Sequence, residues 1–269
     1  MTKKLFSLLI VGSFFISVNG QYTTLNAHSH NDYLQKIPFF LAYEHHFGSV
    51  EADIWTTDGD LLVAHEQKTI TKDRSLDSMY LMPIVRLFRQ NRGQAWKDRS
   101  GTFQLLIDVK SEVEPALKLL AEKVSCFPEV FDPRVNPDAV RIVITGNRPE
   151  PENFKNFPAF FFFDGKLTLN YSPDQLERVA MFSENLGILC SWRGKEPMSQ
   201  TDRARLIQII GGVHQNHRPI RFWNAPDDAQ AWDLLLNLNV DYINTDHITE
   251  LSEFLTSKNA SQLISRSPQ

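Results

Sequence analysis

Eight short apolar runs, each closing on polar residues and most followed by a helical stretch, set the pattern of this sequence. They fall at residues 25–27, 50–54, 103–109, 140–144, 159–163, 187–190, 219–223 and 240–244. Helical stretches occupy 39–47, 76–90, 115–124, 172–182, 201–217, 225–238 and 248–255. Asp77 is placed to cap the second of these, and Pro115 and Pro226 sit near helix starts, where a missing N–H costs little. Residues 159–163 are continuously apolar, as in strands buried on both faces. Alternation of strand and helix argues for parallel βα units rather than a sandwich. Eight units close into a barrel, and a barrel of roughly 250 residues would use nearly all of the 269 here. The expected fold is α/β, a single-domain (β/α)8 TIM barrel over residues 21–257, with a polar tail at 258–269.

The N-terminus carries an export signal. Lys3 and Lys4 precede an apolar run from Leu5 to Val18, and Val18-Asn19-Gly20 places small or apolar residues at the cleavage positions. Residues 1–20 are therefore expected to be a signal peptide cut before Gln21, and the product to be secreted or periplasmic. The run is too short for a comfortable membrane span. In an oxidising compartment Cys126 and Cys190 could pair, but they lie in different units and are expected to be two buried free thiols. A net charge of -4 gives no pull towards nucleic acid, so no nucleic-acid partner is expected. Nothing in the sequence fixes the oligomeric state.

Barrels of this kind carry their chemistry at the C-terminal ends of the strands, and polar residues collect there. Side chains alternate along a strand, so Glu51 and Asp53 share a face. Two adjacent carboxylates repel unless a cation or a shared proton lies between them. Thr57-Asp58-Gly59-Asp60 is a turn signal, after which Leu61 to Ala64 delivers His65 back towards the pair. Asp108 and Lys110 repeat the i, i+2 spacing on the next strand. Three carboxylates from two neighbouring strands suit a hard cation, Mg2+ or Ca2+, and not zinc. Lys110 adds a fixed positive charge for a phosphate oxygen. Two histidines beside that cation could serve as base and acid across a phosphodiester, while the cation neutralises the phosphoryl charge. One is His65. The other is His28, at the end of the first strand, or His30, two residues on and on the same face.

Glu51-x-Asp53, Thr57-x-Gly59 and His65 together resemble the glycerophosphodiester phosphodiesterases of the phospholipase C-like phosphodiesterase superfamily. Asp108-Val109-Lys110 is similar to that superfamily's carboxylate and lysine pair. Arg221-Phe222-Trp223-Asn224 and Val240 to Asp246 resemble its last two strands. His28-Ser29-His30-Asn31-Asp32-Tyr33 followed by Val50 to Trp55 is closest to the subgroup called altered inheritance of mitochondria protein 6. The resemblance implies that His28 and His65 are the acid/base pair and that Glu51, Asp53 and Asp108 hold the metal. It also implies that Lys110 contacts phosphate and that Trp223 walls the cleft, with Asn31 and His30 as further substrate-binding residues. Two departures are visible. The family's His-Arg-Gly is His28-Ser29-His30 here, which removes a phosphate-binding arginine. The third carboxylate is Asp rather than Glu, which with Asn31 is nearer to the spider sphingomyelinase D branch. Pro151-Glu152-Asn153 imitates a family tripeptide but lies in the wrong unit.

The expected function is an exported, divalent-metal-dependent phosphodiesterase acting on glycerophosphodiesters or phospholipid head groups. By the resemblance, a hydroxyl neighbouring the phosphate attacks it and an alcohol leaves. A lipid substrate would demand peripheral contact with a membrane. Two alternatives stand beside this. His28-x-His30 also opens like a metal-dependent amidohydrolase, which needs further histidine ligands on later strands; residues 159–163 have none. The other is a barrel that binds a ligand without turnover.

Overall fold

The computed structural model describes residues 22–98 and 101–266. The signal peptide expected at 1–20 lies outside the described residues. Nine strands form: β1 (Ala27–Ser29), β2 (Ser49–Thr57), β3 (Asp60–Val63), β4 (Gln104–Val109), β5 (Arg141–Gly146), β6 (Phe161–Gly165), β7 (Val179–Asn185), β8 (Ile220–Trp223) and β9 (Tyr242–Thr245). The α-helices are α1 (Phe40–Glu44), α2 (Met82–Gln90), α3 (Val113–Val124), α4 (Pro128–Phe131), α5 (Pro173–Glu177), α6 (Leu186–Leu189), α7 (Gln200–Gln215), α8 (Ala229–Asn237) and α9 (Ile248–Arg266).

Eight strands run parallel in the order β1-β2-β4-β5-β6-β7-β8-β9, and β9 pairs with β1, so the sheet closes. This is the expected (β/α)8 barrel. The ninth strand, β3, is antiparallel to β2. Asp58 (φ 51°) and Gly59 (φ 79°) make the two left-handed residues of the hairpin turn, the conformation that matches the twist of the flanking strands. The hairpin register sets Ile54 against Val63, and the Ala64 amide donates to the Asp53 carbonyl (3.2 Å). His65 is thereby returned to the end of β2.

Aromatic residues fill the shell between strands and helices. Phe39, Phe47, Tyr80, Phe88, Phe103 and Phe131 are all within 2% of full burial, and Phe154 stacks on Phe163 with ring centroids 3.9 Å apart. Each such side chain contributes about 1.5–3 kcal/mol of burial. A second apolar cluster, Leu106, Val143, Ala180 and Met181, is packed with Phe162 and Tyr242. It is contributed by β4, β5, β6, β7 and β9 and fills the barrel interior, which leaves the C-terminal ends of the strands for polar groups.

The structure corrects several expectations. The sixth parallel strand is Val179–Asn185, and residues 187–190 fall on α6 and just after it. The helix expected over 172–182 stops at Glu177, because the continuous apolar run from Val179 to Phe182 is buried in the sheet. Cys190 is thus not on a strand; it is buried and Cys126 is exposed, both as free thiols. Asp77 does not cap α2. The backbone is already helical at Leu76, a π turn (Asp77–Leu81) leads in, and Asp77 pairs with Lys123 instead. Helix α8 begins after Asp228, whose carboxylate accepts from the Ala231 amide (2.9 Å), rather than at Pro226. Helix α9 continues to Arg266, so most of the segment from Lys258 is helical. Finally, residues 24–26 form a 3-10 turn held by a Thr23–Asn26 capping box, and β1 starts only at Ala27. This shift of two residues puts His28 inside the strand and His30 at its end.

Candidate active site

Glu51, Asp53 and Asp108 project from β2 and β4 into one cleft of about 450 Å3, which His30, Asn31, His65, Lys110, Arg221 and Trp223 also line. Parallel pairing sets Asp53 directly against Asp108, and Asp108 against Thr145. One oxygen from each of the three carboxylates lies within 4.8 Å of the others.

Each carboxylate divides its oxygens in the same way. Asp53 Oδ2 takes the Tyr33 hydroxyl (2.8 Å), His65 Nδ1 (3.0 Å) and Lys110 Nζ (3.1 Å). Asp108 Oδ2 takes Lys110 Nζ (2.7 Å). Asp53 Oδ1 and Asp108 Oδ1 are buried with no partner. Glu51 Oε2 accepts from Arg221 Nη1 (2.8 Å) and faces His28 Nε2 (3.0 Å), while Oε1 lies 4.0 Å from His30 Nε2. The electrostatics follow. Burial, then the Glu51 charge, raises the Asp53 carboxyl. Burial, with Asp53 and Glu51 beside it, pushes Asp108 up to about 6. Burial also works against an ionised Glu51, but the Arg221 guanidinium, with His28, holds it well below the usual carboxylate range. Burial opposes the charge on Lys110 too, but Asp108 and Asp53 raise its pKa. Three carboxylates that repel one another and leave two buried oxygens without donors fit a hard cation. The donor set contains no sulfur or nitrogen, which disfavours zinc.

The two histidines of the cleft are held alike. His30 Nδ1 sits 2.9 Å from Asp246 Oδ1, and Asn31 Nδ2 lies 2.9 Å from the same nitrogen. Burial opposes its charged form, but Asp246 and Glu51 win and raise its pKa. His65 Nδ1 sits 3.0 Å from Asp53 Oδ2 and 3.1 Å from the Tyr33 hydroxyl. In both rings a carboxylate meets Nδ1 and Nε2 is left to work, the arrangement by which an imidazole is oriented for proton transfer.

His28 is elsewhere. It is wholly buried and does not line the cleft. Its Nδ1 meets Ser49 Oγ (2.7 Å), and its Nε2 is shared between Glu51 and Arg221. Burial and the Arg221 charge lower its pKa to about 3, so it is a neutral brace beneath Glu51. Of the two histidines of the first strand, the structure sets His30 in the cleft with His65 and keeps His28 beneath it, because β1 begins two residues later than expected. Among the described residues the cluster with metal-ligand spacing is Glu51, Asp53 and Asp108, which includes neither His28 nor His30.

Sequence reasoning missed three groups. Arg221 is almost fully buried; Nη1 also donates to Asn244 Oδ1 (3.1 Å). It supplies a guanidinium to a site whose first strand lacks the family arginine, and its i, i+2 spacing from Trp223 was the available signal. Tyr33, the hydroxyl between Asp53 and His65, came two residues after Asn31. Asp164, a buried carboxylate in the cleft lining, stood at the end of a run of phenylalanines.

A profile of the AIM6-like phosphodiesterase domain matches residues 17–151, and one of the glycerophosphoryl diester phosphodiesterase family matches residues 219–249. The chain is 25% identical over 274 residues to altered inheritance of mitochondria protein 6 of Eremothecium gossypii, spanning 84% of this chain and 68% of that one. It is 24% identical over 254 residues to the homolog in Arthroderma benhamiae, with 82% and 81% covered. A crystal structure of a glycerophosphodiester phosphodiesterase from Parabacteroides distasonis superposes with a TM-score of 0.52 at 15% identity, covering 87% of this chain and 97% of that one, a likeness of fold.

Proposed function

The chain belongs to the AIM6-like phosphodiesterase family, among the glycerophosphodiester phosphodiesterase-like barrels, and we propose that it is a divalent-metal-dependent phosphodiesterase in which His30 and His65 are the acid–base pair. The observation that carries this is the carboxylate cluster with its two unpartnered oxygens, set in one cleft with Lys110 and two imidazoles tied through Nδ1.

Glu51, Asp53 and Asp108 would hold the cation, and their all-oxygen donor set favours Mg2+ or Ca2+. When bound, the cation supplies charge that stabilises the phosphoryl group as it reacts. His30 Nε2 takes the proton from the attacking hydroxyl, and Asp246 stabilises the imidazolium that forms. His65 Nε2 gives a proton to the departing alcohol, with Asp53 and Tyr33 fixing the ring. Lys110 remains protonated between Asp108 and Asp53 and offers its remaining hydrogen to a phosphoryl oxygen. Trp223, exposed at the end of β8, walls the substrate, and Asn31 holds His30 in place. The reading extends to glycerophosphodiesters and phospholipid head groups as substrates. It extends to an exported enzyme on the strength of residues 1–20. Among the described residues no helix is long and apolar enough to cross a membrane.

Turnover of glycerophosphocholine by the wild type, His30→Ala, His65→Ala and His28→Ala tests the assignment. Each cleft histidine should be worth about 10^2–10^4-fold in kcat. His28→Ala should act through stability and the placing of Glu51, with its deficit reduced by excess cation. A His30→Ala enzyme as active as wild type would overturn the assignment.

A further inference from the structure

We propose that the rim of the cleft carries a docking surface for a phospholipid bilayer, built from Leu34, Ile37, Ile188 and Trp223. That a docked lipid presents its phosphodiester to the cleft rests on the phosphodiesterase reading above; the docking itself does not.

Seven large apolar side chains are exposed among the described residues. Met82 on α2, Val135 between α4 and β5, and Ile207 on α7 stand on separate elements, and single apolar residues on a surface need no explanation. The other four gather. Leu34 (67% exposed) and Ile37 lie between β1 and α1, Ile188 (64% exposed) is on α6 directly after β7, and Trp223 is the last residue of β8. Parallel strands present their C-terminal ends on one side of a barrel, so all four stand where the cleft opens, and Trp223 lines it. The strands β7, β8, β9 and β1 are neighbours in the sheet, and polar contacts join the segments that follow them into one arc. Asn224 Nδ2 donates to Asn185 Oδ1 (2.9 Å), the Asp246 amide donates to Asp227 Oδ2 (2.8 Å), and Gln35 Nε2 donates to the Asp246 carbonyl (2.8 Å). Exposed apolar residues collected in one place mark an interaction site.

The charges on the arc point to the kind of partner. Lys36 stands between Leu34 and Ile37, and Lys195 follows α6; both are exposed, and neither forms an ion pair with a described residue. Arg193 donates to the carbonyls of Gly187, Cys190 and Trp192. Most carboxylates of the arc are engaged within the protein, Asp246 by His30, Asp227 by Thr245 and Asp228 by the Ala231 amide. Glu196, beside Lys195, and Glu250, in the first turn of α9, are exposed. The exposed charges therefore nearly balance, which suits a zwitterionic surface and leaves apolar insertion as the driving force. Apolar tips on separate segments, with lysine stems between them and a tryptophan at the edge, can each enter a bilayer interface independently. A folded partner instead needs one fitted, continuous face, and seated on this arc it would cap the cleft.

Sedimentation of the full chain with sucrose-loaded phosphatidylcholine vesicles tests the surface, in a His65→Ala background so that lipid is not consumed. Leu34→Ser/Ile37→Ser/Ile188→Ser should weaken vesicle binding at least about 10-fold. Met82→Ser/Val135→Ser/Ile207→Ser, which removes as much exposed apolar surface elsewhere, should bind as the parent does. With His65 restored, the rim variant should turn over water-soluble glycerophosphocholine within about twofold of wild type. A parent protein that does not bind the vesicles overturns the surface, as does binding that the rim substitutions leave unchanged or that both triple variants weaken equally. Loss of soluble turnover in step with vesicle binding overturns it as well. A dimer in sedimentation velocity that the rim substitutions dissociate assigns the arc to a second copy of the chain and overturns the lipid. If the rim substitutions abolish vesicle binding in a protein that turns over no diester, the docking surface stands and the phosphodiesterase reading falls.

Discussion

Gly146 stands where Asp108 needs room. Its φ is +65°, and a Cβ there would lie 1.9 Å from Asp108 Oδ1, one of the two unpartnered oxygens. Alanine at this position is strained and pushes the carboxylate out of the cluster. Gly146→Ala should lower the affinity for Mg2+ or Ca2+ by about 10–100-fold while the circular dichroism spectrum stays native. Titration showing unchanged affinity would remove Asp108 from the metal site. At this scale the sequence was legible wherever spacing on a strand fixed the face. Glu51, Asp53, Asp108, Lys110, His65 and Trp223 all meet in the cleft. The choice between His28 and His30 was not legible, because both share a face and only depth along β1 separates them. Depth depended on the Thr23–Asn26 capping box, which holds 24–26 as a turn. Arg221 was hidden for a different reason: its partners Glu51, His28 and Asn244 come from three other strands.

The connection from β1 to α1 is pinned by one buried carboxyl. Asp32 Oδ1 accepts from Ser29 Oγ (2.8 Å), and Oδ2 accepts from the Phe39 amide (2.5 Å) and the Tyr80 hydroxyl (2.9 Å). Burial nevertheless outweighs these donors and pushes Asp32 from 3.8 to about 6. The folded state therefore holds this proton more tightly than the unfolded chain does. The stabilisation from Asp32 is full below about pH 4 and is lost as pH rises through about 6, a swing of about 3 kcal/mol at most. Urea unfolding at pH 4 and pH 7 should show wild type losing stability relative to Asp32→Asn by that order. A difference between the two proteins that does not change with pH would contradict it. Elements with an unambiguous period or a strong turn, such as the β2–β3 hairpin and α3, were readable in the sequence. The sixth parallel strand was not. Ser172-Pro173 signals a helix start correctly, but α5 ends after five residues, and the apolar residues that follow serve a strand as well as a helix.

For the whole molecule, closure of eight parallel strands decides where chemistry can occur. The interior is filled by Leu106, Val143, Ala180 and Met181, and the shell is packed with aromatics, so the polar groups gather above that plug. Barrel and strand count were legible because alternation repeats along the entire chain and short misreadings of one unit do not change the count. The part of the lining made by Asp164, Arg148 and Ser183 was not legible, because these residues become one surface only on closure. The central claim is metal-dependent cleavage of a phosphodiester, and phosphorus-31 NMR of glycerophosphodiesters incubated with the protein in Mg2+, in Ca2+ and in EDTA tests it most directly. The expected result is loss of the diester resonance in at least one metal, with a cyclic or monoester product, and no change in EDTA. Diester resonances that persist in both metals, or that disappear equally in EDTA, would contradict it.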